Sequence, residues 1–172
     1  LTGNPQITFF KVVYRRHTNF ACEAIEQTFN GTPAYGGKAT VQITRNGDLV
    51  TKMWLHTNLT ATGDVAVDAG YSLIKSVELQ IGGTKIDKHY GKWMWVWNQL
   101  SSTAEKDLAH DVMVQKAAMT SGATAELFIP LQFFCCRNDG LALPLIALQY
   151  HDVRLEFEFG TITNATLGNT QL

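Results

Sequence analysis

The chain has 172 residues, of which 45% are hydrophobic and 17% are charged, and its formal net charge is −1. This length suits one domain, and the aromatic and apolar content excludes intrinsic disorder. The balanced charge argues against nucleic acid as a dominant partner, and no apolar run approaches the roughly 18 residues of a membrane-spanning helix. The sequence begins with Leu1 rather than Met, so we expect a processed product or the ordered part of something longer.

Alternation of apolar and polar residues predicts β-strands along most of the chain. A stretch over 19–29 is also extended, with a slip near Ala24 that a β-bulge would explain. Phe128 and Phe134 lie opposite the apolar face of their strand, which predicts a strand covered on both sides. The residues expected to face the core are Ala39, Val41, Ile43, Val77, Leu79, Ile81, Leu127, Ile129, Leu131, Phe133, Val153, Leu155, Phe157 and Phe159.

Turn residues separate the predicted strands. Asn46-Gly47 indicates a hairpin or a corner between the segments 39–45 and 48–57, and Gly82-Gly83 indicates a tight turn after residue 81. Asn138-Asp139-Gly140 is expected to end the run 126–136.

Two segments interrupt the β pattern. A short helix is predicted by the three- and four-residue steps that separate Tyr90, Trp93 or Met94, Trp97 and Leu100. Ser102 and Glu105 have the spacing of a capping box, so a second helix is expected near residue 103, continuing intermittently toward Met119. Pro144 can occupy the first turn of a helical turn over 144–148. These elements imply a β-sandwich or barrel, and periodicity alone leaves open a jelly roll, an immunoglobulin-like sandwich or a lectin.

Three sequence strings carry a resemblance to a known family. They read LTGNPQITFFKVVYRRHTNF at 1–20, IGGTKIDKHYG at 81–91, and IPLQFF at 129–134 followed by GLALPLIALQYH at 140–151. In order and spacing, these strings resemble the major capsid proteins of nucleocytoplasmic large DNA viruses, such as phycodnaviruses, iridoviruses and asfarviruses. The resemblance covers essentially the whole chain.

The resemblance implies an all-β fold, an antiparallel sandwich of the viral jelly-roll type with short helices inserted in loops. Residues 1–172 would be the first, N-terminal jelly roll of a double jelly roll, without its final strand and without the second jelly roll. Three copies would form a pseudo-hexagonal capsomer, and capsomers would tile an icosahedral shell over an internal membrane. The implied location is the virion, after assembly in the host cytoplasm.

The same resemblance implies a structural protein rather than an enzyme, with no cofactor. Its expected partners are two further copies, neighbouring capsomers, minor capsid proteins and the internal virion membrane, with no specific nucleic acid. Lys11, Arg15 and Arg16 are candidates for contact with inner-shell proteins or acidic lipid headgroups, the alternative being a solvated strand with local ion pairs. Trp93, Trp95 and Trp97 are candidate interface aromatics, the alternatives being core residues or a sugar-binding platform.

The residues do not predict a catalytic or metal centre. His89, His110 and His151 each lie near an aspartate in the sequence, but no GxSxG elbow, P-loop or GxGxxG accompanies them. Cys22, Cys135 and Cys136 lack zinc-ligand spacing and are interpreted as reduced thiols from a cytosolic environment. A soluble β-sandwich binding module, either a lectin or a cupin-like enzyme, is the competing hypothesis. The isolation of His56 argues against the cupin, since a cupin needs clustered metal ligands.

Overall fold

The computed structural model describes residues 18–172, so Lys11, Arg15 and Arg16 lie outside the described residues. The described part is built mainly of antiparallel strands with four short helices. The strands are β1 (Phe29–Asn30), β2 (Lys38–Gln42), β3 (Leu49–Val50), β4 (Trp54–Ala61), β5 (Ile74–Ile81), β6 (Thr84–Tyr90), β7 (Thr124–Pro130), β8 (Leu143–Pro144), β9 (Val153–Phe159) and β10 (Ala165–Gln171). The helices are α1 (Ala69–Leu73), α2 (Gly91–Ser101), α3 (Ala104–Met113) and α4 (Phe134–Arg137), with a 3-10 turn at Asp139–Leu141.

The strands form two main sheets and a small ribbon. The five-stranded sheet has the order β1-β2-β9-β5-β6, and the three-stranded sheet has the order β10-β4-β7. Strands β3 and β8 pair as a separate two-stranded ribbon. Because β2 pairs with β9 and β4 pairs with β7, the chain passes repeatedly between the two main sheets rather than forming a simple meander.

The core lies between the inward faces of the two main sheets. Leu155 of β9 is opposite Val41 on one side and Leu79 on the other, so these three buried residues form one row across the sheet. The predicted register of β9 is confirmed, because all four of its apolar residues are buried. The three-stranded sheet contributes Leu55, Leu59, Leu127 and Ile129, none of which is measurably exposed.

One polar pair lies inside this apolar core. Thr57 of β4 and Thr170 of β10 are both buried, and their hydroxyl oxygens are 2.8 Å apart. A buried hydroxyl without a hydrogen-bond partner is costly, so the two threonines satisfy each other across adjacent strands.

The two strongest turn signals have different outcomes. Gly82 and Gly83 join β5 to β6 in a tight hairpin, and both have positive φ angles, 59° and 80°, which glycine adopts without strain. Asn46-Gly47 lies in a corner between sheets and not in a hairpin, because the strands on either side pair with different partners.

Several predicted boundaries are wrong. Residues 19–28 form no strand, so the bulge predicted near Ala24 does not arise. Strand β7 ends at Pro130 rather than near 136, and the following residues enter α4. Pro144 belongs to β8, and the predicted helical turn over 144–148 is present as two successive turns, with Ala147 N–H donating to the Pro144 carbonyl and Leu148 N–H to the Leu145 carbonyl. Helix α3 begins after Thr103 with no side-chain capping bond, so the capping box from Ser102 is absent.

The predicted cover on the second face of β7 is also not found among residues 18–172. Phe128 is 39% exposed and Phe134, at the start of α4, is 37% exposed. Both rings are therefore available for contact with a further part of the polypeptide or with another protein.

Glycine is required where α2 meets α1. A Cβ at Gly91 would overlap the carbonyl oxygens of Tyr71 and Ile74, so the absence of a side chain allows the two segments to approach this closely. The contact fixes the position of α2 at the end of the five-stranded sheet.

Candidate interaction surface

Helix α2 carries the three tryptophans predicted as interface aromatics. Its buried residues are Gly91, Met94 and Asn98, which face α1 and the sheet. Trp93 is 39% exposed and Trp95 is 40% exposed, and Trp97 is half-buried. The tryptophans therefore do not form the core contact of this helix, and much of their aromatic surface remains open.

Trp97 is held in place by a cation from α4. The guanidinium carbon of Arg137 lies 4.3 Å from the centre of a Trp97 ring, within the range of a cation–π contact. Arg137 Nε also donates a hydrogen bond of 3.0 Å to the Gln132 carbonyl. Trp93 lies 6.0 Å from Trp97 between ring centres. The two rings and the guanidinium thus form one ordered, partly exposed cluster.

The outer face of the five-stranded sheet is charged. Lys75 Nζ is 2.6 Å from Glu158 Oε1, and Lys85 Nζ is 2.8 Å from Glu78 Oε2. The hydrogen bond from Lys85 lowers the pKa of Glu78, and the hydrogen bond from Lys75 lowers the pKa of Glu158. Such exposed pairs contribute little stability, so this face is suited to contact with water.

The outer face of the three-stranded sheet is aromatic. The His56 ring stacks on Phe128 of the neighbouring strand with 4.6 Å between ring centres. His56 Nε2 lies 2.8 Å from Glu126 Oε1, and Trp54 on the same strand is 37% exposed. The sequence alone does not reveal this group, because His56 and Phe128 become neighbours only through the β4–β7 register.

His89 is buried beside α4 rather than placed in a catalytic arrangement. Its ring stacks on Phe133 at 4.4 Å between centres, and its Nε2 lies 3.6 Å from Asp87 Oδ2. Burial lowers the pKa of His89, although Asp87 opposes this effect. These contacts fit a structural role for the residue.

His110 faces Tyr71 and not its sequence neighbour Asp111. The Tyr71 hydroxyl is 3.3 Å from the His110 ring nitrogens, and Asp111 instead accepts an ion pair from Lys116 at 2.9 Å. Burial lowers the pKa of His110 and raises the pKa of Tyr71. His151 and Asp152 are neighbours in the sequence, and both side chains are exposed.

The cysteines are free thiols at three different depths. Cys22 is exposed, Cys135 is buried, and Cys136 is half-buried. The two adjacent sulfur atoms lie 3.9 Å apart within α4, and that contact lowers the pKa of Cys135 and raises the pKa of Cys136.

Among residues 18–172 no group of three or more metal-ligating side chains converges.

No helix in the described part of the chain is long and apolar enough to span a membrane.

Comparison with known proteins identifies the family. A family model described as "Major capsid protein N-terminus" matches residues 8–171. The major capsid protein of Pyramimonas orientalis virus is 54% identical over 170 residues, which cover 93% of this chain and 43% of that protein. The major capsid protein of Phaeocystis pouchetii virus is 44% identical over 200 residues, which cover 94% of this chain and 38% of that protein.

A solved capsid structure shares the fold. The quasi-atomic model of the PBCV-1 virus capsid matches with a TM-score of 0.82 and 38% identity, covering 95% of this chain and 43% of that chain. The fold is therefore that of a viral jelly-roll capsid protein, which confirms the fold class inferred from the sequence. The chain belongs to the major capsid protein family of nucleocytoplasmic large DNA viruses. It spans less than half the length of the relatives it matches and corresponds to their N-terminal part.

Proposed function

We propose that this chain is the first jelly roll of a structural, non-enzymatic capsid subunit. Three subunits form a pseudo-hexagonal capsomer, and capsomers tile the icosahedral shell of a virion. The observation that carries the proposal is the match of almost the whole sandwich to the N-terminal part of major capsid proteins. The geometry supports this proposal. The outer face of the five-stranded sheet is charged and suited to solvent, whereas aromatic side chains are exposed on the three-stranded sheet and on α2, as expected for surfaces that contact other protein.

The proposal includes a second jelly roll and a further strand that completes the first. Gln27 and Leu172 exchange both backbone hydrogen bonds, at 2.7 Å and 3.0 Å, in the manner of an antiparallel pair. Extending this pair would place residues 18–26 beside residues that follow 172 in a longer polypeptide. Residues 18–26 are all exposed and belong to no strand, which supports a missing neighbour there.

The finer partners are also part of the proposal. They are two further copies of the subunit, neighbouring capsomers, minor capsid proteins and the internal membrane of the virion. Lys11, Arg15 and Arg16 would contact inner-shell proteins or acidic lipid headgroups. The residues between these cations are apolar or aromatic, and such a mixture suits either surface. Assembly would take place in the host cytoplasm, consistent with the free thiols of Cys22, Cys135 and Cys136.

Electron microscopy of the purified full-length protein tests the proposal. We expect uniform, pseudo-hexagonal particles made of three subunits. As a control, Leu155→Glu places a charge in the buried core and should remove the particles by unfolding the sandwich. Well-folded single subunits from the unaltered protein, at concentrations that allow assembly, would contradict the proposal.

A further inference from the structure

Helix α2 has a second apolar face that the described chain covers only in part, through Arg137 over Trp97. Trp93, Val96, Trp97 and Leu100 follow the spacing i, i+3, i+4 and i+7, so they form one stripe along the helix. This α2 stripe lies away from Met94, the buried anchor of the helix, and Leu100 is 77% exposed. An apolar stripe with this spacing is typical of a helix that packs against another protein element.

Helix α3 has a comparable stripe and no buried residue at all. Leu108, Ala109 and Val112 form an apolar stripe along one face of the helix, with the charged Glu105 one turn before them on the same face. Leu108 is 77% exposed and Val112 is 75% exposed. A helix of 10 residues is marginal in water by itself and usually depends on packing of its apolar face, so this α3 stripe also lacks its partner.

The two stripes do not cover each other within one chain. Only Ser102 and Thr103 connect the helices, yet Leu100, Leu108 and Val112 all remain at least three-quarters exposed. The Leu100 end of the α2 stripe and the α3 stripe are therefore open to another molecule.

The charges around the stripes are complementary. Lys92 is exposed at the first turn of α2, and Arg137 lies over Trp97 within the α2 stripe. Helix α3 carries three carboxylates, Glu105, Asp107 and Asp111, against one cation, Lys106. Asp107 and Asp111 pair with Lys116, so Glu105 is the acid that stands at the start of the α3 stripe. A surface with a basic border and a surface with an acidic end attract each other and fix one relative orientation.

We infer that the α2 stripe of one subunit packs against the α3 stripe of a second copy of this chain. The inference rests on the proposed function, because it names the contact by which capsid subunits join. Two different surfaces of the same chain meet in such a contact, and a heterologous contact of this kind repeats around a ring until it closes. A closed ring of three subunits uses every α2 stripe and every α3 stripe.

Directed cross-linking of the full-length protein tests the contact. Leu100→Cys and Leu108→Cys are made separately in a Cys22→Ser background, with a different affinity tag on each variant. After mixing, dissociation and reassembly, diamide oxidises neighbouring thiols. We expect a disulfide-linked dimer carrying both tags, at least tenfold more abundant than same-tag dimers. Ile146→Cys replaces Leu108→Cys in the control, because Ile146 is 70% exposed but lies outside both stripes.

Charge substitutions separate this inference from the proposed function. Leu100→Glu and Leu108→Glu should each weaken self-association at least tenfold by light scattering, whereas Ile146→Glu should leave it unchanged. Circular dichroism should show unaltered folding in all three variants, since the replaced side chains are exposed. If the unaltered protein forms trimers and Leu100→Glu and Leu108→Glu form them equally well, the inference is wrong and the proposed function stands. Same-tag dimers in excess, or no mixed dimer, would likewise overturn it, and a monomeric unaltered protein would overturn both.

Discussion

Leu155 lies at the centre of the five-stranded sheet and is fully buried. Replacing it with Ala removes three carbon atoms from the middle of a row formed with Val41 and Leu79. We expect Leu155→Ala to lower the free energy of unfolding by about 2–5 kcal/mol. Calorimetry of the full-length protein measures the effect, and Arg154→Ala, on the outer face of the same strand, is the matched control. Equal losses from both variants would contradict the register of β9.

The buried His89 and the half-buried His110 make the stability of the sandwich depend on pH. Burial lowers the pKa of His89 and His110 below the usual 6.5. The unfolded chain therefore binds protons at a higher pH than the folded chain does. Their contribution to stability is complete above pH 6.5 and decreases as the pH falls from there through the lowered pKa values.

Replacing His89 tests this dependence. Asp87 and Arg137 are the charged groups that act on His89, and their effects on its pKa oppose each other. We expect His89→Leu to reduce the loss of melting temperature between pH 7 and pH 5, leaving the part due to His110. His151→Leu is the control, because His151 is exposed. A pH dependence in His89→Leu as steep as in the unaltered protein would show that the ring is not buried as described.

At the level of secondary-structure elements, α1 and α2 depend on a glycine contact. Gly91→Ala should push the start of α2 away from the Tyr71 and Ile74 carbonyl groups and cost about 1–3 kcal/mol of stability. Thermal unfolding measures this cost. Gly47→Ala is the control, because a Cβ at Gly47 would meet nothing within 4 Å. If Gly91→Ala is as stable as Gly47→Ala, the close approach of the two segments is wrong.

The faces of most strands could be predicted from the sequence, but their partners could not. Alternation shows that Val153 and Leu155 share a face, since successive side chains in a strand point in opposite directions. It carries no information on which strand lies alongside, so Asn46-Gly47 could be a hairpin or a corner. The same limit hid the contact of His56 with Phe128, which are 72 positions apart in sequence and adjacent only in the β4–β7 register.

The positions of α2 and α3 were predictable from the spacing of apolar residues, but their ends and orientation were less so. Helix α1 was not predicted, and α4 lies in a run that was expected to be a strand. The spacing of Trp97 and Leu100 predicts α2, yet Met94 and not the tryptophans is the buried anchor. Apolar residues on two faces of one helix do not reveal which face the sandwich covers. Thr103 precedes α3 without a capping bond, which shows that the S-x-x-E spacing alone does not create a capping box.

At the scale of the whole molecule, the resemblance to a capsid family carried more information than the composition did. Composition excluded disorder and a dominant nucleic-acid partner, and periodicity left several β-sandwiches open. The strings at 1–20, 81–91, and 129–134 with 140–151 carried the resemblance through their order and spacing. In the structure, 81–91 contains the turn of the β5–β6 hairpin, and 140–151 contains β8 and the turns after it.

Residues 1–172 expressed alone should aggregate or remain partly unfolded. Residues 18–26 would lack their proposed neighbour, and the aromatic surface of β4 and β7 would be open to solvent. Exposed strand edges and apolar patches promote association. Size-exclusion chromatography with light scattering measures the outcome, with the full-length protein as the control. A monodisperse, cooperatively melting monomer from residues 1–172 would contradict the proposal that further strands complete the fold.

Native mass spectrometry of the full-length protein tests the central claim most directly, because it counts the subunits in the assembled particle. A capsid subunit that builds pseudo-hexagonal capsomers should give a dominant species of three times the mass of one polypeptide. That species should persist on dilution, as expected for a stable, extensively buried interface. A dominant single-subunit mass, from protein that is folded by circular dichroism, would contradict the account.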